Sequence, residues 1–200
     1  LPRLLDGAGW LFHQAAQAGV RASWGDYFST YTAHNITATQ MLLEAARRAP
    51  LAKLVYASSS SIYGDAERAP TPEETIPQPI SPYGVTKLAA EHLCFAYARN
   101  FDVPAVALRY FTVYGERQRP DMAFHRFLRL ALSGEPVPLF GDGQQSREFT
   151  YVADVVAANI LAAERGRPGT PYNIGGGSQV TMAEVLDLMG ELLGAPVPVQ

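Results

Sequence analysis

The sequence predicts a doubly wound α/β domain, a parallel sheet wrapped by helices, joined to a smaller α/β lobe. Two observations carry this. Through residue 115, short apolar runs alternate with longer helix-like stretches, the pattern of parallel strands linked by crossover helices. After Gly115 the texture changes to shorter elements punctuated by Gly and Pro. The composition, 200 residues with 48% hydrophobic and 18% charged, allows a sizeable core.

Trp10–Ala16 is short and apolar and is expected as a buried strand. Ser29–Ala49 is expected as a helix, with Met41, Leu42, Ala45 and Ala46 on one face. Leu54–Ala57 is the next strand and runs into four serines. Ala66–Pro79 is loop, held open by Pro70, Pro72, Pro77 and Pro79. Ser81 has the residue type of an N-cap, with Pro82 at the first helical position of a helix reaching about Asn100. Ala105–Tyr110 is a strand. In the second half, helices are expected at Met122–Ser133, Ala153–Arg165 and Met182–Leu193. Strands are expected at Val137–Phe140, Glu148–Val152 and Tyr172–Ile174, with a turn at Gly141-Asp142-Gly143. The domain division is placed at 1–115 and 116–200, with residues from about 146 to 165 returning to the sheet.

Charge and special residues narrow the classes. A net charge of −3 carries no basic signature for nucleic acid, so an anionic ligand must be met by local arginines. Cys94 is the single cysteine and makes no internal disulfide; a buried small side chain in a reducing cytoplasm fits it. No apolar run reaches membrane-spanning length, and the first residues do not read as a signal peptide. His13, His34, His92 and His125 lack metal-ligand spacing, so no metal is expected.

Tyr83 and Lys87 lie four apart near a helix start and share a face. A free tyrosine, with a pKa near 10, is too weakly acidic to act as a base at neutral pH. A neighbouring ammonium favours the phenolate and lowers that pKa. Tyr83 can then take a proton from an alcohol while the attached carbon gives up hydride. A surface pair is the plain alternative for this spacing taken alone. Ala57-Ser58-Ser59-Ser60-Ser61-Ile62-Tyr63-Gly64 precedes the pair and comes directly after a strand. Hydroxyls at the C-terminal edge of a parallel sheet stand where such folds bind ligands.

Seven segments then carry a resemblance. They are FHQAAQAGVR (12–21), Asn35 in its helix, VYASSSSIYG (55–64), SPYGVTK (81–87), LRYFTVYG (108–115), FGDGQQSREFTYVADVV (140–156) and YNIGGG (172–177). In this order they resemble the extended short-chain dehydrogenases/reductases, specifically the NAD-dependent nucleotide-sugar epimerase/dehydratase family. The resemblance implies a Rossmann-like sheet, NAD as cofactor and a UDP-sugar substrate. It also implies a cytoplasmic homodimer formed through the helices at Ser29–Ala49 and Pro82–Asn100.

Carried over residue by residue, the resemblance makes Ser59 the catalytic hydroxyl, Tyr83 the base and Lys87 its partner, which also grips the nicotinamide ribose. It places Gln14, Ala15, Ala16, Asn35, Ser58, Tyr110 and Phe111 on the cofactor side. It assigns Arg147 to the substrate diphosphate, with a solvated strand charge as the alternative. Met122, Phe124, Arg126, Leu139 and Phe140 lie in segments that wall the nucleotide; Met122 and Phe124 can equally be helix core. Arg109, Arg117, Arg119, Arg126 and Arg129 are expected mostly at the surface, with one or two as ligands.

A dinucleotide-binding sheet also needs a first strand, a glycine-rich turn and a helix N-terminus for the pyrophosphate. Nothing upstream of Trp10 reads so, and Gly175-Gly176-Gly177 is a poor substitute because Ser178–Thr181 intervene before a helix. The expectation is a chain truncated at both ends. NAD rather than NADP rests on the resemblance alone.

The residues after Ser59 narrow the reaction. Resembling dehydratases place an Asp-Glu pair directly after the catalytic hydroxyl, and a decarboxylase of the family places Glu two residues after it; here those positions are Ser60 and Ser61. Both reactions are disfavoured. A 4-epimerase, working through a transient 4-keto sugar, needs neither acid. Thr112 stands where familiar UDP-glucose epimerases carry Asn. With Ser60 and Ser61 it would form a hydroxyl-lined pocket able to hold a sugar carboxylate more loosely than an arginine would. Arg119-Pro120-Asp121-Met122-Ala123-Phe124 resembles the matching stretch of UDP-glucuronate 4-epimerases. The expected reaction is UDP-glucuronate to UDP-galacturonate, with UDP-glucose 4-epimerisation as the alternative. A reading of another class is an inactive fragment or a nucleotide-sugar-binding module.

Overall fold

The structure, a computed structural model, describes residues 2–65, 70–139 and 141–200. In chain order the elements are α1 (Pro2–Leu5), β1 (Trp10–His13), α2 (Phe28–Tyr31), a π-helical stretch (Thr32–Thr37) and α3 (Ala38–Ala46). Next come β2 (Lys53–Ser59), α4 (Pro82–Phe101), β3 (Ala105–Tyr110), β4 (Thr112–Tyr114), α5 (Ala123–Leu132) and β5 (Ser146–Tyr151). The last elements are α6 (Val152–Arg165), β6 (Pro171–Ile174), β7 (Gln179–Thr181) and α7 (Met182–Leu193). Two compact units result, Leu1–Phe111 with Asp154–Ile174, and Thr112–Ala153 with Gly175–Gln200.

The first unit is the expected α/β layer. Its sheet is parallel throughout, in the order β1-β2-β3-β6. The period of two in β2 and β3 divides the core between two faces. Leu54, Tyr56, Ala105 and Ala107 pack with Leu43, Ala46, Ala90 and Cys94 of α3 and α4. Val55, Val106 and Leu108 pack with Ala162 and Ala163 of α6. Each fully buried Leu or Val here contributes about 1.5–3 kcal/mol of burial free energy.

Three expectations for this unit are corrected. The first strand ends at His13, and Trp10 and Phe12 stay exposed. β1 is an edge strand of this sheet, and alternate side chains leave the core. In α3 Ala45 and Ala46 are buried as expected, but Thr39 and Leu43 are buried with them, whereas Met41 is 54% exposed. With Asn35, these side chains form a stripe that starts polar, so apolar periodicity misplaces it. Arg109, expected near the surface, is buried in an ion pair with Glu91.

Helix α4 begins as its residue types dictate. The Ser81 side chain accepts the Gly84 N–H at 3.1 Å, Pro82 occupies the first turn, and Asp102 closes the helix in the left-handed region. Gly84 is required by a close approach. A Cβ there would stand 2.5 Å from the Ser61 carbonyl oxygen. The helix start is thereby pressed against the turn that leaves β2.

In the second unit, β4 and β5 pair in parallel and β5 and β7 antiparallel. Phe127, Val137, Met182, Val185, Leu186 and Met189 form its core. Where a strand is expected at Val137–Phe140, Val137 makes only an isolated bridge to Val199, and Phe140 lies outside the described residues. Helix α7 starts with a reciprocal capping box between Thr181 and Glu184. Gly175 and Gly176 are packing glycines rather than a phosphate loop. Added Cβ atoms would stand 2.0 Å from Glu148 Oε1 and 2.0 Å from the Phe149 carbonyl oxygen.

Candidate active site

The sequence-predicted residues of the first unit gather at the C-terminal ends of β1, β2 and β3. That is the edge where a parallel sheet opens to ligands. Gln14, Ala15 and Ala16 come directly after β1 and are exposed. Ser58 and Ser59 end β2 and are buried; Tyr110 ends β3, and Phe111 is the next residue.

Ser59 has a defined polarity. Its Oγ accepts the Ser61 N–H at 3.2 Å, capping the turn Ser60–Ile62, so its own O–H is left to donate. Tyr83 is half-buried one residue before Gly84, its ring edge-on to Tyr31 with centroids 6.3 Å apart. Lys87, one turn further, is 3% exposed. Its ammonium donates to the Ala57 carbonyl and lies 4.5 Å from the centre of the Tyr56 ring. Burial lowers the Lys87 pKa to about 8. An ammonium has three N–H groups, and two remain for a ligand or a phenolate.

Asn35 fastens the loop after β1. Its Oδ1 accepts the Gln17 N–H at 2.7 Å, and its Nδ2 donates to the Gln17 carbonyl and to Thr86 Oγ1. The amide therefore ties the loop after β1 to α4 within one turn of Tyr83. Beside it, His13 Nε2 lies 2.8 Å from Thr39 Oγ1. Burial, then the Lys87 charge, lowers the His13 pKa to about 4. Gln14, Tyr110 and Asn159 form a hydrogen-bonded cluster at the same edge. Burial raises the Tyr110 pKa and keeps that phenol neutral. The Cys94 thiol is likewise pushed up to about 12 by burial.

Sequence reasoning missed Glu91. It lies four residues after Lys87, continuing the spacing that runs from Tyr83, and its side chain is fully buried. Its Oε2 accepts from Ser58 Oγ at 2.5 Å, and Arg109 pairs with it at 2.7 Å. A charged residue in the middle of an inward-facing stripe was the available signal. Ser58, a cofactor-side candidate at the end of β2, has its hydroxyl committed to Glu91.

The second unit presents its candidates differently. Thr112 and Met122 are half-buried; Met122 caps α5, with its sulfur 3.7 Å from Arg119 Nη2. Phe124 stacks with Tyr114 and Phe149, and both Phe124 and Leu139 pack on the unit's core. Arg126 is half-buried on α5. Arg147 is exposed on β5, with Nη1 donating to the Ser146 carbonyl at 2.8 Å. Among the described residues no helix is long and apolar enough to cross a membrane, and no group of three acidic, His or Cys side chains is placed to hold a metal.

Comparison with known proteins agrees with this architecture. The family model described as NAD dependent epimerase/dehydratase family matches residues 3–175. The chain is 48% identical over 197 residues to the Bacillus subtilis protein named as an uncharacterized UDP-glucose epimerase, YtcB, covering 97% of this chain and 61% of that one. It is 37% identical to a UDP-glucuronate 4-epimerase of Thermodesulfobacterium geofontis, covering 92% of this chain and 57% of that one. The chain thus spans about three fifths of the length of these relatives. Among solved structures, UDP-glucuronic acid 4-epimerase from Bacillus cereus, in complex with UDP-glucuronic acid and NAD, superposes with a TM-score of 0.95 at 44% identity. That match covers 100% of this chain and 64% of the other. With its parallel sheet and this match over most of its length, the chain belongs to the NAD dependent epimerase/dehydratase family.

Proposed function

We propose that the protein is an NAD-dependent UDP-sugar 4-epimerase that interconverts UDP-glucuronate and UDP-galacturonate through a transient 4-keto sugar. The observation that carries this reading is that the start of α4, which bears Tyr83 and Lys87, packs on the end of β2, which bears Ser59: Gly84 is seated on the Ser61 carbonyl and Lys87 donates to the Ala57 carbonyl. The residues present fit a nicotinamide end. Ala15 and Ala16 leave exposed backbone after β1, and Lys87 holds two uncommitted N–H groups for ribose hydroxyls. A bound NAD would supply a reversible hydride acceptor for C4.

The chain's own residues manage the proton. Ser59 donates to the C4 oxygen, because its acceptor side faces the Ser61 N–H. Lys87 keeps a positive charge near Tyr83, favouring the phenolate that removes the hydroxyl proton as the C4–H bond breaks. The ketone formed rotates, and Tyr83 gives the proton back as hydride returns to the opposite face. Ser60 and Ser61 bring no carboxylic acid to this turn, so water elimination lacks its acid/base pair. Substitutions in the second unit, Arg147 above all, would act on the nucleotide end of the substrate.

The glucuronate assignment is supported by the hydroxyl-bearing residues Ser60, Ser61 and Thr112 and by the relatives named for that sugar. UDP-glucose is the second reading, favoured by the name of the Bacillus subtilis relative. Proton NMR of the intact protein with each sugar nucleotide tests both. Conversion of UDP-glucuronate to the galacto product is expected. Release of UDP-xylose or a 4-keto pentose, or turnover of UDP-glucose alone, would overturn the assignment. A protein that binds UDP-sugar and never turns it over would support the binding-module reading.

A further inference from the structure

We propose that Glu91 is a positioning residue of the hydride-transfer site, joining the end of β2 to β3 and holding the charge that faces Lys87 from the next turn of α4. The inference rests on the epimerase reading above and deepens it.

The geometry is a buried relay within the first unit. Glu91 Oε2 accepts from Ser58 Oγ at 2.5 Å, one residue before the hydroxyl assigned to substrate. Arg109 donates to both carboxylate oxygens through Nε and to Oε1 through Nη2 at 2.7 Å. Arg109 Nη1 then donates to Tyr63 Oη at 2.5 Å and to the Glu73 carbonyl at 2.9 Å. Tyr63 Oη donates to Asn173 Oδ1, and Asn173 Nδ2 donates to the Thr71 carbonyl. The proline-rich loop that leads into Ser81 and Tyr83 is thereby pinned at residues 71 and 73. One carboxylate fixes the strand carrying Ser59, the helix carrying Tyr83 and Lys87, and, through Arg109, the loop between them.

Energetics make a purely structural role a poor explanation. A well-packed apolar pair of similar volume is often as stable as a buried ion pair, or more stable. What an apolar pair cannot supply is a negative charge one turn from Lys87. The titratable groups that act on the Lys87 side chain are His13 from β1, Tyr56 from β2, and Glu91 and Cys94 on α4 itself, with Arg109 of β3 paired to Glu91. His13 and Cys94 are neutral at pH 7, by their lowered and raised pKa values respectively. Tyr56 is held neutral by burial. Glu91 is the carboxylate of this set, ion-paired to Arg109 at 2.7 Å. It opposes the desolvation that drives Lys87 toward the uncharged amine.

The test separates charge from scaffold. Glu91→Gln leaves Arg109 buried and unpaired, so the Glu91→Gln/Arg109→Met double variant is made beside it, and Glu91→Asp as the charge-conserving control. The Lys87 amine is titrated in the intact protein by 13C NMR of lysine labelled at Cε, assigned by loss of the signal in Lys87→Met. No substrate is needed. The expected result is a lower Lys87 midpoint in the double variant than in the parent or Glu91→Asp, because the carboxylate on the next turn of α4 is gone. The basic limb of kcat/KM should move the same way. A folded double variant with the parent's Lys87 midpoint would overturn the proposal. A parent protein that shows the coupling by NMR yet never epimerises a UDP-sugar would overturn the enzymatic reading alone.

Discussion

The two units solve the problem of holding functional side chains by different means. In the first, candidate residues are wired into buried polar groups: Asn35 to the Gln17 backbone, Ser58 to Glu91, Lys87 to the Ala57 carbonyl. In the second, they rest on aromatic and aliphatic packing, as Phe124 and Leu139 do, or stand in solvent, as Arg147 does. Hydrogen bonds to buried partners fix atoms to within tenths of an ångström, which proton and hydride transfer demand. Packing and exposed charge provide a surface, which suffices for binding. The contrast predicts that lesions in the first unit strike turnover and lesions in the second strike affinity or stability.

The largest effect tests that division at its sharpest point. Tyr83→Phe should lower kcat by about 10³-fold with substrate affinity nearly intact, measured by steady-state kinetics and calorimetric titration. Ser59→Ala should cost about 10²-fold in kcat through its lost hydrogen bond to the reacting oxygen. An equal loss of affinity in either would erase the contrast. The pH profile is set by Lys87. Its ammonium is needed in both proposed roles and its pKa lies near 8, so kcat/KM should fall as pH rises through about 8. Arg109→Met leaves Glu91 buried without its partner and should destabilise the fold by about 3–5 kcal/mol, read by denaturant titration. Adding Glu91→Gln should restore much of that. Arg147→Ala, on an exposed strand position, should change stability by no more than about 0.5 kcal/mol while raising KM. Unchanged KM would make it a plain surface charge.

His13 adds a second pH handle, on stability alone. Its folded pKa of about 4 lies below the ordinary value of 6.5. Between those values the unfolded chain binds a proton that the folded one refuses. Stability is therefore full above pH 6.5 and declines as pH falls toward 4, by about 3 kcal/mol in all.

Much of this was legible in the residues. The helix beginning at Ser81-Pro82 and ending near Asn100 was readable because its caps are local chemistry. The β2 and β3 strands were readable because burial on both faces gives unbroken apolar runs. Ser59, Tyr83 and Lys87 are site candidates through motif order, and the substitutions above are their test. What escaped was set by tertiary pairing. Nothing local marks Arg109 as the partner of a glutamate 18 residues away, and a basic residue on a strand ordinarily reads as solvated. The exposed faces of Trp10 and Met41 escaped because apolar residues alone do not say which side of an element meets the core. Phe124 could be read as nucleotide wall or helix core, and the structure packs it on core neighbours.

The central claim is that C4 exchanges hydride with a cofactor while Tyr83 moves only the hydroxyl proton. Running the intact protein in deuterium oxide with UDP-glucuronate and tracking the product by NMR tests it most directly. The expected product is UDP-galacturonate that keeps its original hydrogen at C4 and gains no deuterium at C4 or C5. Solvent deuterium at C5, next to the carboxylate, would instead reveal carbon deprotonation and contradict it.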